Sequence, residues 1–166
     1  MSSATGYTAR SSPVSTDFKR PHSVLVVIYT PARQVLLLHR RAPFDFWQSV
    51  TGSLAPGEPP IDAAVREVRE ETGLSINAAR LTDHRLANRF PIPPAWRHRY
   101  APDVGHNTES VFSLCLPPFA VRPDPREHDA AEWVCADEAL ARIWSWTNRD
   151  ALRLCLSESL ARPHTG

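Results

Sequence analysis

GSLAPGEPPIDAAVREVREETGL, running from Gly52 to Leu74, joins a glycine-marked loop to a helix with clear ends. Pro59 and Pro60 suit a first helical turn, where a missing N–H costs nothing, and Asp62 complements the positive N-terminal end. Gly73 is placed to stop the helix as a left-handed residue just beyond its last turn, so the spacing predicts a helix over 59–72. Ile61, Val65 and Val68 recur at helical spacing and are expected to pack onto a sheet, with Thr72 continuing their line. Glu67, Glu70 and Glu71 stand at i, i+3 and i+4, which places three carboxylates on roughly the opposite side. Taken alone, such a cluster is a solvated acidic face partly neutralised by Arg66 and Arg69.

The loop before the helix changes that weighting. From Gly52 the chain fits G-x5-E-x7-R-E-U-x-E-E-x-G-U, with U aliphatic, at every required position. Its seven fixed residues would coincide by chance at a given start roughly once in 10^8 at ordinary residue frequencies. On this pattern the chain resembles the Nudix hydrolases. The resemblance implies an α/β fold, an α/β/α sandwich with a mixed sheet, that presents the loop and helix to a diphosphate bridged by divalent metal. It implies metal-ligand and catalytic roles for Glu67, Glu70 and Glu71, help from the backbone carbonyl of Gly52, and an orienting role for Arg66, with Glu58 in support. A diphosphate is polyanionic, and Mg²⁺ held by carboxylate oxygens neutralises the charge that would repel an attacking hydroxide; Mn²⁺ can do the same.

Working outward, SVLVVIY (23–29) and QVLLLH (34–39) read as a strand pair across the turn Thr30–Arg33. Residues 46–54 read as one further strand entering the Gly52 loop. Strand-like segments return at 79–90, interrupted by polar residues, at 109–116 and at 131–134, with a long proline-rich loop over 91–107. Segments 136–143 and 148–160 read as helices. Residues 1–17 carry small polar residues without periodicity and are expected to form a flexible tail preceding one domain over 18–163.

Composition narrows the function. The 166 residues carry 19 Lys+Arg against 18 Asp+Glu, a net charge of +1, which argues against coating a nucleic acid polymer or a membrane surface. Cys115, Cys135 and Cys155 are odd in number and have no CxxC spacing, so neither a disulfide framework nor a thiolate zinc site is expected, and a cytoplasmic location fits. No stretch approaches the ~18 apolar residues of a membrane span. Oligomeric state is left open.

Segments outside the box carry the substrate reading: KRP (19–21), Arg40-Arg41, FWQSVTGS (46–53), RHRYAP (97–102), NTES (107–110), Glu127-His128 and SWTNR (145–149). Together they resemble the bacterial branch of the Nudix family that acts on a pterin triphosphate. The branch implies cleavage of dihydroneopterin triphosphate to dihydroneopterin monophosphate and pyrophosphate in folate biosynthesis. It implies substrate contacts by Lys19, Arg40, Thr51 and Ser145 and a further metal-binding or water-activating carboxylate at Glu127. The alternative is a pyrophosphatase acting on (d)NTPs or damaged nucleotides, since the same metal box serves any accessible phosphoanhydride. His128 reads as a surface or supporting histidine beside Glu127. Trp47, Trp133, Trp144 and Trp146 are candidates to stack on a ring, with one or two expected to do so. FPIPP (90–94) departs from the branch in its prolines.

Overall fold

The computed structural model describes residues 18–161. The tail expected over 1–17 lies outside them. Strands β1 (His22–Tyr29), β2 (Gln34–Arg40), β3 (Phe46–Gln48) and β4 (Val50–Ser53) precede helix α1 (Pro60–Thr72). Strands β5 (Thr82–Pro91), β6 (His106–Cys115) and β7 (Ala130–Cys135) and helices α2 (Ala136–Arg142) and α3 (Trp146–Ala161) follow. The sheet has seven strands along the path β3-β2-β1-β6-β5, with β4 also on β1 and β7 also on β2. Only β1 and β6 run parallel among these pairs, so the sheet is mixed, as expected.

Alternation along β1 builds both layers. Val24, Val26 and Ile28 face α1 through Ala63, Ala64 and Val68, whereas Leu25 and Val27 face α2 and α3 through Ala139, Ala151 and Leu152. A strand buried on both faces has no polar side, which explains the unbroken apolar run VLVVI. The result is the α/β/α sandwich.

Helix α1 has the expected ends. Pro59 precedes it, and Gly73, at φ 76°, donates its N–H to the Arg69 carbonyl at 2.9 Å. Its orientation differs from the expectation. The buried face comprises Ala63, Ala64, Glu67, Val68, Glu71 and Thr72, while Val65 is only partly buried. The two alanines have little bulk to hold the helix off the sheet, so Glu67 and Glu71 turn inward and only Glu70 projects into solvent.

Three further boundaries differ. Residues 46–54 are two strands, β3 on β2 and β4 on β1, broken at Ser49. There the Asn148 side chain accepts from the Ser49 N–H and donates to its hydroxyl, both at 2.8 Å, which satisfies the buried polar groups that the break frees. The segment at 79–90 is a 3₁₀ turn at Ala78–Arg80 followed by β5, an edge strand with a register shift between Asp83 and Ala87. Asp83, Arg85 and Arg89 on it face water, as an unpaired edge permits. The proline-rich loop contains a 3₁₀ turn over Pro94–Arg99. Among the described residues no helix is long and apolar enough to cross a membrane, and none of the three cysteines is in a disulfide.

Candidate active site

Arg66 organises the acidic loop and helix. Its Nε and Nη2 donate to the two Glu58 oxygens at 2.8 and 2.9 Å, its Nη1 to Glu67 Oε1 at 2.6 Å and Glu70 Oε2 at 3.1 Å, and its Nη2 to the Ser53 carbonyl at 3.0 Å. One planar guanidinium thus ties three acids to the end of β4. The Arg66 hydrogen bond holds Glu58 below the usual carboxylate range. Glu67 goes the other way: burial, against the pull of Arg66, pushes its carboxyl up to about 7.

Glu71 is almost wholly buried, and burial raises its carboxyl although His128 opposes the shift. Glu71 Oε2 accepts from the Thr51 N–H at 3.1 Å, while Oε1 lies 3.1 Å from Nε2 of the buried His128. Glu71, Glu127 and His128 bring one ligand atom each within 4.8 Å of one another, an arrangement able to hold a metal ion. Glu127 stands on the loop before β7, its Oε2 3.1 Å from Arg40 Nη1.

Arg40, Glu67 and Glu127 border a cavity of about 490 Å³, which Arg66, Glu71 and His128 do not line. Lys19, Arg40, Thr51, Gly52, Glu67, Glu127 and Ser145 all line it. The Lys19 ammonium is held below its ordinary range by burial and then by the Arg99 charge. The Thr51 hydroxyl accepts from Gln48 Nε2 at 3.2 Å, and Ser145 Oγ accepts from the Asn148 N–H at 3.3 Å at the start of α3. Glu70 does not line the cavity and is committed to Arg66 on the exposed side of α1.

Part of the cavity wall is aromatic. Phe46, Trp96 and Trp144 line the cavity, with Phe46–Trp144 centroids 5.1 Å apart and Trp96–Trp144 5.6 Å apart. Trp146 lines it as well. Trp47 instead lies under the Arg142 guanidinium at 3.9 Å, and Trp133 packs on Phe119, so neither lines it. Pro91, Ile92 and Pro93 complete the rim, which gives the proline-rich departure a place at the site.

One lining residue, Trp96, lies beyond the sequence reading, while His128, Asn107 and Glu109 fall in segments that it named without giving them a site role. Trp96 sits in the segment read as plain loop, and its single clue was an aromatic side chain among prolines. His128 is buried beside Glu71, the supporting rather than the surface place of the two that the sequence left open. Asn107 and Glu109 fall in NTES, where strand alternation puts them on one face of β6 and Thr108 and Ser110 on the other; their i, i+2 spacing in a strand was the available signal.

A model of the NUDIX domain matches residues 19–155. The dihydroneopterin triphosphate diphosphatase of Escherichia coli K12 is 47% identical over 138 residues, covering 81% of this chain and 91% of that protein. The enzyme of the same name from Haemophilus influenzae is 40% identical over 139 residues, covering 82% and 87%. The solved structure of the E. coli dihydroneopterin triphosphate pyrophosphohydrolase superposes with a TM-score of 0.77 at 45% identity over 85% of this chain and 98% of that one.

Proposed function

The chain belongs to the NUDIX family, and from that membership we propose that it hydrolyses dihydroneopterin triphosphate to dihydroneopterin monophosphate and pyrophosphate, a step of folate biosynthesis. The observation that carries the reading is one cavity lined by both acids and cations and by a cluster of aromatic rings. A triphosphate needs the first and a flat heterocycle the second.

The residues present fit a divalent metal. Adding a Cβ at Gly52 would overlap the Glu67 carboxyl, so the glycine leaves that acid room against β4, and the neighbouring donors are hard oxygens. Glu67, Glu71 and Glu127 would hold Mg²⁺ with help from the Gly52 carbonyl, and Glu70 would act through Arg66. Bound there, Mg²⁺ supplies charge neutralisation for the phosphates and acidifies water. Lys19 and Arg40 add cationic contacts to the phosphate chain, and Arg40 also positions Glu127 through their 3.1 Å pair. Phe46, Trp96 and Trp144 hold the ring by its faces, while Thr51 and Ser145 offer hydroxyls at the two ends of the Asn148–Ser49 junction.

Relative kcat/KM values under one Mg²⁺ concentration and pH test the substrate. Dihydroneopterin triphosphate should exceed GTP, dATP and their oxidised forms by roughly 10-fold or more, the yield of a few well-placed contacts. Equal or better efficiency with GTP would favour a nucleotide pyrophosphatase.

A further inference from the structure

Strand β6 carries a further carboxylate into the cavity, in addition to those of Glu67 and Glu127. Glu109 is only 6% exposed, lines the same space, and has Oε1 without a hydrogen-bond partner. Its side chain is held by the Thr147 hydroxyl at the beginning of α3. Two residues earlier on the same strand face, Asn107 is 4% exposed and donates to Ser23 Oγ at 2.7 Å, which leaves its Oδ1 unpartnered as well. Neither residue belongs to the Arg66 network or to the Glu71, Glu127 and His128 group.

Two buried acceptors without donors are costly unless a ligand supplies the protons. Burial pushes the Glu109 carboxyl up to about 7, the mark of a charge with few compensating donors around it. Its partner Thr147 follows Trp144, Ser145 and Trp146 in the chain, and all four line the cavity, so Glu109 stands beside the part of the site that carries rings and hydroxyls.

We propose that Glu109 reads the 2-amino-4-oxo edge of the substrate ring, its two oxygens accepting from the ring N3–H and the 2-amino group. The inference rests on the pterin reading above. A carboxylate matches that edge because both ring groups are donors, side by side and pointing the same way. Asn107 Oδ1 is the acceptor available to a further donor of the same ligand. Adenine and cytosine present no such pair of donors, guanine presents the same pair, and hypoxanthine lacks the amino group. Glu109 is therefore assigned to base selectivity, with the phosphate chemistry left to the α1 carboxylates.

The test compares kcat/KM for dihydroneopterin triphosphate, GTP and ITP in the wild type and in Glu109→Gln, with thermal melting as a folding control. The wild type should prefer GTP to ITP by about 10-fold or more, because ITP leaves one carboxylate oxygen unpaired. Glu109→Gln sets an amide N–H against a ring donor; it should lower kcat/KM for dihydroneopterin triphosphate by about 30-fold or more, largely through KM, and bring the GTP/ITP ratio to within threefold of unity. A wild type that cleaves dihydroneopterin triphosphate but treats GTP and ITP alike overturns the assignment, as does a folded variant with the wild-type ratio. If the variant does not fold, the wild-type ratio decides. A wild type that leaves dihydroneopterin triphosphate intact overturns the substrate reading itself.

Discussion

Gly52 and Glu67 occupy one space: a methyl group on Gly52 would overlap the carboxyl carbon and Oε1 of Glu67. Gly52 is paired with Val24 in the sheet and cannot retreat, so any side chain there must expel the acid from its bond to Arg66. Gly52→Ala is expected to lower kcat by over 10²-fold, comparable to deleting a transition-state electrostatic contact. The fold should survive, since the displaced group is polar and lies at the cavity edge. Steady-state kinetics with circular dichroism check this; kcat within threefold of wild type would show that Glu67 has no tight requirement for its place.

Glu70 and Glu71 are adjacent in sequence and opposite in setting. Glu71→Gln removes a buried charge next to Glu127 and His128 and should cost about 3 kcal/mol of transition-state stabilisation or more, over 10²-fold in rate. Glu70→Gln removes one exposed partner of Arg66, which keeps its contacts to Glu58, Glu67 and Ser53, and should cost under 10-fold. Kinetics of the two variants side by side check the order, and the reverse order would place the acidic centre on the outer face of α1.

How far the sequence revealed this arrangement follows from the range of the forces involved. Prolines and Gly73 act locally, so the ends of α1 were legible, and double-sided burial made β1 and β2 read as apolar runs. The break at Ser49 was not legible because the side chain that satisfies it, Asn148, is 99 residues away. The turn of α1 that buries Glu67 and Glu71 depends on alanines meeting a sheet, a contact that periodicity alone misassigned to Val65. Lys19, Arg40, Thr51, Gly52, Glu67, Glu127 and Ser145 were singled out and do border one cavity, because a family pattern records proximity that spacing does not. Trp96 had no such pattern to mark it, and Glu109 fell within NTES, a segment whose resemblance assigned it no role.

Stability should depend on pH through Glu109. Its carboxyl, pushed up to about 7 by burial, lies above the ordinary 4.5, so the folded state binds the proton more tightly than the unfolded chain. The associated stability is full below pH 4.5 and is lost as pH rises through 7. Between pH 5 and 8 the wild type should therefore lose up to about 3 kcal/mol relative to Glu109→Gln, a Tm difference of several degrees. Melting curves of both proteins without triphosphate across that range check it. Parallel profiles would mean that Glu109 titrates as an ordinary carboxyl.

Chelation should separate catalysis from folding. Both faces of the sheet carry apolar layers, and Arg66 bridges Glu58, Glu67 and Glu70 through protein hydrogen bonds alone. Excess EDTA is expected to abolish turnover while the far-ultraviolet dichroism persists at ordinary temperature, with Mg²⁺ restoring activity. Unfolding on chelation, or full turnover in its presence, would contradict this.

The products formed from dihydroneopterin triphosphate test the account most directly. Purified protein, Mg²⁺ and the triphosphate should yield one pyrophosphate and one dihydroneopterin monophosphate per turnover, with inorganic phosphate and pyrophosphate detected separately and the pterin products resolved by chromatography. Release of inorganic phosphate with accumulation of the diphosphate, or no consumption of the pterin triphosphate while GTP is cleaved, would contradict it.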